Sequence, residues 1–528
     1  MSALKKVFIG SFIHTNEQGE LIVVDHGAIF VENGKISNII INSTPTDIED
    51  ENVIVLSSNQ FLIPGFIDCH IHAAQLPNIG IGYDKELLEW LETYTFPLER
   101  KYTDEDFAQR VFHKVVEQTI MQGTTTACYF ASLYTKASVI LGQQVIKLGQ
   151  RALIGKISMN ENRSDGYYEN TEDSIKNINK FIEEINKLNS PLVKPIITPR
   201  FALSCDMTLM KQLGKLTKEK NLHVQSHVSE NLNEITAVKN KFPEYSSYSA
   251  VYDAAGLLTN KTVLAHGIYL SDDEIALLKK RGTAVIHCPS SNTCLKSGFC
   301  DVRKLKNIGV KLGLGTDVAG GQSSSILDTM KLALHLSQLL HLSRNNYKAL
   351  NYIDVFHMAT LGGATALAME NEIGSFEIIG PAELCDKITE GLHQSAKARN
   401  WHISVHQCEI LTQILELNFN LEVDFIIFAF DWGIAQSVSE VETNIGLIDE
   451  YYIISGAACL VNCKGISNVM GLSCHMSTKI REKYNIRLLC ANIFKPDGSV
   501  QLANRILNLI ESLFGITSGI PVNGLVIH

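Results

Sequence analysis

From residue 6 to residue 64 short apolar runs alternate with polar turns. VFIGSFIHT, LIVVDHGAIFVENGKISNII and NVIVLSSNQFLIPG show β-like alternation without a helical period, which predicts a small sheet module over residues 1–64. From Pro64 the pattern becomes strand then helix, repeated. FIDCHIH, TTTACYFA, RALIGKIS, VKPIITPR, HVQSHVS, TVLAHGIY, TAVIHCP and VKLGLGTD are eight strand candidates. Between them KELLEWLETY, DFAQRVFHKVVEQTIMQG and DEIALLKKRG place apolar residues three and four apart, often with a Gly after the end. Eight such alternations predict an α/β fold, a (β/α)8 TIM barrel over residues 65–376, preceded by the sheet module.

Near residue 376 the character shifts again. FEIIG, WHISVHQC, VDFIIFAFD, YYIISGAACLVN and IRLLCANIF read as strands, and SNVMGLSCHMSTKIREKY as a helical crossover of the length a parallel sheet needs. Residues 377–528 are therefore expected to form a second, three-layer α/β domain. No low-complexity linker marks the seam.

Composition narrows the function. A chain of 528 residues, 45% hydrophobic, can bury large cores, and a net charge of −10 without a Lys/Arg block provides no broad surface for nucleic acid or an anionic membrane. A small uncharged or polar substrate fits better. The 12 cysteines include no C-x-x-C pair, which argues against a disulfide framework or zinc ribbon and for a reducing, cytoplasmic setting. The start MSALKKVFIGSFIHTNEQ lacks a signal-peptide pattern, and no stretch is long enough to span a bilayer.

Candidate chemistry lies at the ends of the predicted barrel strands. His70 and His72 sit in FIDCHIH, His227 in QSHVSE, His266 in LAHG and Asp317 in GLGTD. Residues i and i+2 of a strand share a face, so the His70 and His72 rings are expected to point inward together. Taken singly each residue has a plainer reading: Asp317 as a helix cap, Glu230 as a charge at a helix start, His266 as a core histidine. Their shared placement favours one metal site. His70, His72, His227 and Asp317 would hold one Zn2+, leaving a position where a water becomes acidic. Asp317 could take that water's proton, Glu230 could carry protons to a substrate, and His266 could position the nucleophile, making Glu230, His266 and Asp317 the catalytic candidates.

PGFIDCHIH, HVSE, AHG and GTD, in this order, resemble the amidohydrolase superfamily of metal-dependent barrel hydrolases. Within it, HIHAAQLPNIGIGYDKELLEWLETYTFPLERKY and TPRFALSC resemble the guanine deaminases, over about residues 5–377. That resemblance implies hydrolysis of guanine to xanthine and ammonia. It further implies that Gln75 and Arg200 hydrogen-bond the purine edge, that Phe201 packs on its plane, that His72, His227, Glu230 and Asp317 meet the substrate from the metal side, and that the barrel forms a homodimer. Ala74 departs from the usual Pro, a change in loop stiffness more than in chemistry. A related deaminase or hydrolase acting on an oxidised purine, a triazine or an adenosine-like molecule is the alternative enzyme.

The superfamily resemblance also implies that residues 1–64 are a partial N-terminal β-sandwich, but past residue 377 the superfamily's remaining sandwich strands do not follow. VDFIIFAFDWGIAQSVSEVETNIGLIDEYY and the stretch from LSCHMSTKIREKYNIRLL to SGIPVNGL resemble centromere protein M, a kinetochore component with a small-GTPase-like fold. The resemblance implies kinetochore partners and a nuclear site for this part, with assembly as an alternative role for the whole chain. A P-loop ends in Gly-Lys-Ser/Thr, but Cys385, Asp386 and Lys387 stand there, and Asp repels the phosphate that Lys would hold. No GTP binding is expected. The unmarked seam and missing strands favour two joined coding regions over one bifunctional chain, and an impaired barrel fold.

Overall fold

A computed structural model describes residues 5–376, except 17 and 42–51, and shorter stretches of 388–513, chiefly 425–430, 457–463, 479–491 and 497–513. The chain divides into two compact units, Met1–Glu377 and Ile378–His528.

The first unit opens with a five-stranded sheet of β1 (Lys5–Thr15), β2 (Leu21–Glu32), β3 (Lys35–Ile41), β4 (Val53–Val55) and β5 (Phe61–Leu62). β1, β2 and β3 pair antiparallel, while β4 and β5 both run parallel to β1. Asn33 and Gly34, with φ of 51° and 80°, make the two-residue turn between β2 and β3; paired positive φ values match the twist of a hairpin. Phe12, Val24 and Ile29 are buried on one face, where Phe376 meets Phe12 edge-on at 5.7 Å. Val55 (70% exposed), Phe61 (56%) and Val23 (55%) remain in water, an apolar surface without a covering layer among the described residues.

The barrel strands follow as β6 (Phe66–His72), β7 (Thr124–Phe130), β8 (Arg151–Gly155), β9 (Ile157–Ser158), β10 (Val193–Pro199), β11 (His223–Val228), β12 (Thr262–His266), β13 (Ala284–His287) and β14 (Leu312–Leu314). They pair in parallel in the order β14-β13-β12-β11-β10-β8-β7-β6, with β9 continuing β8 alongside β10. The eight strand candidates thus each carry a barrel strand, and the parallel eight-stranded barrel is as expected. Ile67, Cys69, Cys128, Leu153, Ile196, Val263 and Ile286 come from six different strands yet pack as one buried cluster, so they fill the space the strands enclose.

Closure is made by the chain just past β14. Asp317 N–H donates to His70 C=O (2.9 Å) and His72 N–H to Val318 C=O (3.1 Å). Asp68 locks the same seam: its carboxylate accepts from Thr316 N–H (3.1 Å), Thr316 Oγ1 (2.5 Å) and His70 N–H (3.2 Å). Burial pushes the Asp68 carboxyl up to about 7, against the pull of the Thr316 hydrogen bonds. Gly315 has to lack a side chain, because a Cβ there would lie 2.8 Å from His70 Cβ.

The outer helices follow the predicted periods. Glu105–Met121 is capped by Asp104, and Asp272–Arg281 starts in a Ser271/Glu274 capping box and ends at Gly282 in the left-handed region. KELLEWLETY is less regular than its spacing suggests: Leu87–Trp90 is α-helical, Leu91–Thr95 widens into a π turn, and Phe96–Glu99 resumes the α form. In the second unit, β15 (Ile426–Phe430), β16 (Ala458–Asn462) and β17 (Arg487–Cys490) form a parallel sheet in that order. The expected strand WHISVHQC, most of FEIIG, and the P-loop position from Gly380 to Lys387 lie outside the described residues. No helix among the described residues is long and apolar enough to cross a membrane.

The N-terminal sheet is tied to the end of the barrel unit through two histidines. His14 Nδ1 meets Ser375 Oγ (3.0 Å) and His357 Nδ1 meets Thr15 Oγ1 (3.0 Å). Burial lowers both rings, His357 to about 4 with help from nearby Lys306. A folded-state pKa below the ordinary value of about 6.5 means the unfolded ring binds its proton first, so this stability is whole above pH 6.5 and drains as pH falls toward 4. Hydrogen-exchange protection of the β1 amides should therefore fall between pH 7 and pH 4.5, and less so in His357→Gln. Identical falls in both proteins would show that the ring is not the pH-sensitive contact.

Candidate metal centre and substrate cavity

The five strand-end residues meet. Asp317 Oδ1 lies 3.2 Å from His70 Nε2 and 3.4 Å from His72 Nε2, and His72 Nε2 lies 3.1 Å from His227 Nε2. The other oxygen, Oδ2, faces His266 Nε2 at 3.7 Å, and His266 Nε2 faces Glu230 Oε2 at 3.3 Å. One ligand atom each from His70, His227, His266 and Asp317 falls within 4.8 Å of all the others.

Local backbone geometry aims these groups. His70 lies inside a register shift, between Asp68 and Ile71, in the pairing of β6 with β7, His72 lies just past it, and their rings end 5.0 Å apart. Ser229, His266 and Asp317 hold positive φ values of 48°, 74° and 48°. Each such non-Gly residue costs on the order of 1–3 kcal/mol, a strain that the surrounding fold sustains where a side chain has to be aimed off the strand line. Hydrogen bonds fix the rings: His227 Nδ1 bonds Arg200 C=O (2.5 Å) and His266 Nδ1 bonds Asn292 Oδ1 (2.9 Å), leaving each Nε2 directed at the centre.

Electrostatics suits a cation. Burial pushes His72 and His227 well below the usual imidazole range, and neighbouring imidazoles push in the same direction, so both rings are neutral with a free lone pair. Burial alone would raise Asp317, but the imidazoles of His70, His266 and His72 hold it below the ordinary carboxylate range. His70 Nε2 and His266 Nε2 are buried, with carboxylate oxygens 3.2 and 3.3 Å away but without a well-formed hydrogen bond within the protein. Unpaired buried nitrogens are costly unless something occupies the point they face, and a divalent cation with N/O preference fits this donor set.

Glu230 is 3% exposed, and burial, with Asp317 and Glu234 nearby, pushes its carboxyl well above the ordinary range. Ser297 Oγ donates to its Oε1 (3.2 Å), and Glu234 Oε2 receives the Glu230 backbone N–H (3.0 Å). His72, His227, His266, Glu230 and Asp317 line a cavity of about 420 Å³ including its opening to solvent. Gln75, Arg200 and Phe201 line the same cavity, with Trp90 and Leu295 supplying apolar surface.

All the sequence-predicted site residues but His70 line this cavity, and His70 Nε2 lies 3.2 Å from Asp317 Oδ1; the group of ligand atoms within 4.8 Å of one another takes in His266, expected as a catalytic residue, and leaves out the expected ligand His72. Residues missed from sequence are the ones that hold others. Asp68 shares its strand with His70 and His72 and was readable by the same i, i+2 spacing. Glu99, Glu234, Asn292 and Ser297 sit in short helices, helix ends and loops, where an acid, amide or hydroxyl is ordinarily exposed to solvent.

Residues 61–387 match the model of the amidohydrolase family, and the chain belongs to that family. Within it the guanine deaminases are its relatives: it is 45% identical to guanine deaminase of Homo sapiens over 386 residues, 72% of this chain and 85% of that protein. The crystal structure of guanine deaminase from C. acetobutylicum with guanine in its active site is similar at a TM-score of 0.68 and 37% identity, over 72% of this chain and 92% of that one. A zinc-bound adenosine deaminase from Xanthomonas campestris shares the fold at a TM-score of 0.61 and 22% identity, over 70% of this chain and 82% of that one.

Metal removal should be visible in stability. A cation that binds only the folded state stabilises it by about 2.7 kcal/mol at a hundredfold excess over Kd. Chelation should lower the melting temperature of the first unit's transition and Zn2+ should restore it, with the response lost in His227→Ala. A transition indifferent to chelator and Zn2+ would contradict the site.

Proposed function

We propose that the first unit catalyses hydrolytic deamination of guanine, giving xanthine and ammonia, at one Zn2+ site. The observation that carries this reading is the single cavity on which the His/Asp cluster and the pair Gln75 and Arg200 both open. His70, His72, His227 and Asp317 would hold the ion, in agreement with the contacts of His70 and His72 Nε2 with Asp317 Oδ1 and of His72 Nε2 with His227 Nε2. His266 faces Asp317 Oδ2 and Glu230, which supports a role in orienting the water, although its ligand atom also lies within 4.8 Å of those of His70, His227 and Asp317. When bound, the ion supplies acidity, lowering the pKa of a water to about 7.

The chain's own residues do the rest. Asp317 accepts a proton from the attacking water while His266 orients it. The water oxygen adds to the ring carbon bearing the exocyclic amine, which becomes tetrahedral. Glu230, held protonated by its burial, gives a proton toward the purine, and a proton passed on to the amine lets it leave as ammonia while the carbonyl of xanthine forms. Arg200 and Gln75 bind the polar edge, and Phe201 covers the ring plane. Such hydrogen-bonding sites reject analogues lacking the matching groups far more strongly than apolar pockets do. The second unit has no part in this reaction.

Xanthine formation from guanine by the zinc-loaded full-length protein tests the reading. Arg200→Ala should lower kcat/KM for guanine by about 10- to 100-fold, the loss expected for a charged hydrogen bond. If guanine turnover is intact in Arg200→Ala, or absent from the loaded wild-type protein, guanine is not the substrate.

A further inference from the structure

Glu99 ties together the two side chains that the proposed function puts on the purine edge. It ends the helix Phe96–Glu99 and is 1% exposed. Its Oε1 accepts from Gln75 Nε2 (3.0 Å) and Arg200 Nη2 (3.0 Å), and its Oε2 from Arg200 Nη1 (2.5 Å) and Tyr167 Oη (2.8 Å). Arg200, itself 2% exposed, therefore gives one N–H from each terminal nitrogen to a single carboxylate, the planar paired arrangement that fixes a guanidinium most firmly. The Phe96 ring lies 4.8 Å from Arg200 Cζ and limits rotation of the guanidinium out of that plane.

Gln75 is held at both ends. Its Nε2 donates to Glu99, while its Oε1 accepts from Ala319 N–H (3.2 Å). A primary amide has two N–H donors and two acceptor lone pairs, so one of each is left to face the cavity in a fixed order. Turning the amide over would aim its oxygen at the Glu99 carboxylate and its NH2 at the Ala319 N–H, two repulsive contacts in a buried site.

We propose that Glu99 is a positioning residue that sets specificity: it locks Arg200 and Gln75 into one array selecting purines with a ring carbonyl. The proposal rests on the guanine reading above. Glu99 need not touch substrate; it neutralises a buried cation that would otherwise be uncompensated, and it decides which way the Gln75 amide points. In Glu99→Gln a carboxylate that only accepts becomes an amide that also donates, so at least one N–H of Arg200 or Gln75 loses its partner.

The test uses zinc-loaded full-length protein, with guanine as substrate and 2-aminopurine, which has the exocyclic amine but no carbonyl, as competitor. Glu99→Gln should raise KM for guanine about tenfold or more, change kcat by less than about threefold, and leave inhibition by 2-aminopurine within about a factor of two. Tyr167→Phe, which removes one neutral hydrogen bond from Oε2, should move KM in the same direction by about two- to fivefold. A merely structural role would weaken both purines alike, and that result overturns the proposal. If Glu99→Gln does not fold, Tyr167→Phe decides by the same comparison. A wild-type protein that does not turn over guanine overturns the functional reading and this inference together, whereas turnover with unselective loss in the variants overturns this inference alone.

Discussion

The site depends on closure of the barrel between its first and last strands. His70 and Asp317 are 247 positions apart in sequence, yet the backbone hydrogen bond from Asp317 N–H to His70 C=O, at 2.9 Å, is part of the seam that makes the sheet continuous. The same two residues carry side chains 3.2 Å apart at the metal point. Fold closure and ligand geometry are therefore one constraint. Gly315 admits the close approach of β6, and Asp68 fastens it through Thr316, so a change at either position alters the cation site without touching the cation.

A second constraint is the satisfaction of buried polar groups. The cavity wall gathers imidazoles, carboxylates, a guanidinium and an amide, a set that would be ruinous in an apolar core unless each found a partner. The structure divides them into two groups. On one side His227 and His266 are steered by Arg200 C=O and Asn292, and the nitrogens left without a well-formed hydrogen bond converge on one point. On the other side Glu99 absorbs the charge of Arg200 and one donor of Gln75. The first arrangement is a donor set suited to a cation, and the second is a neutral donor–acceptor edge. Together they match a neutral heteroaromatic molecule presented to an acidified water.

Much of this was legible in the sequence because strands announce themselves. The eight barrel strands were readable as apolar runs, and the histidines and Asp317 follow from their places at strand ends. Gln75, Arg200 and Phe201 came only through the family resemblance, since a glutamine or arginine after a strand has no intrinsic signal for burial. Glu99 was invisible for a related reason: it closes a helix whose regular period breaks into a π turn at Leu91–Thr95, and its partners Gln75, Tyr167 and Arg200 lie 24, 68 and 101 residues away. Long-range pairing of this kind is a property of the closed barrel and not of any local pattern. In the second unit the three parallel strands were foreseen from their apolar runs, while the remainder of that reading falls on residues outside those described.

The central claim is that side chains from three separate strand ends share one cation. Anomalous scattering from crystals of the zinc-loaded protein, recorded on both sides of the zinc absorption edge, measures this directly. The account predicts one strong peak within coordination distance of His70, His227 and Asp317, at about 2.0–2.2 Å from their ligand atoms. A map without a peak among these residues, or with its zinc bound elsewhere, would contradict it.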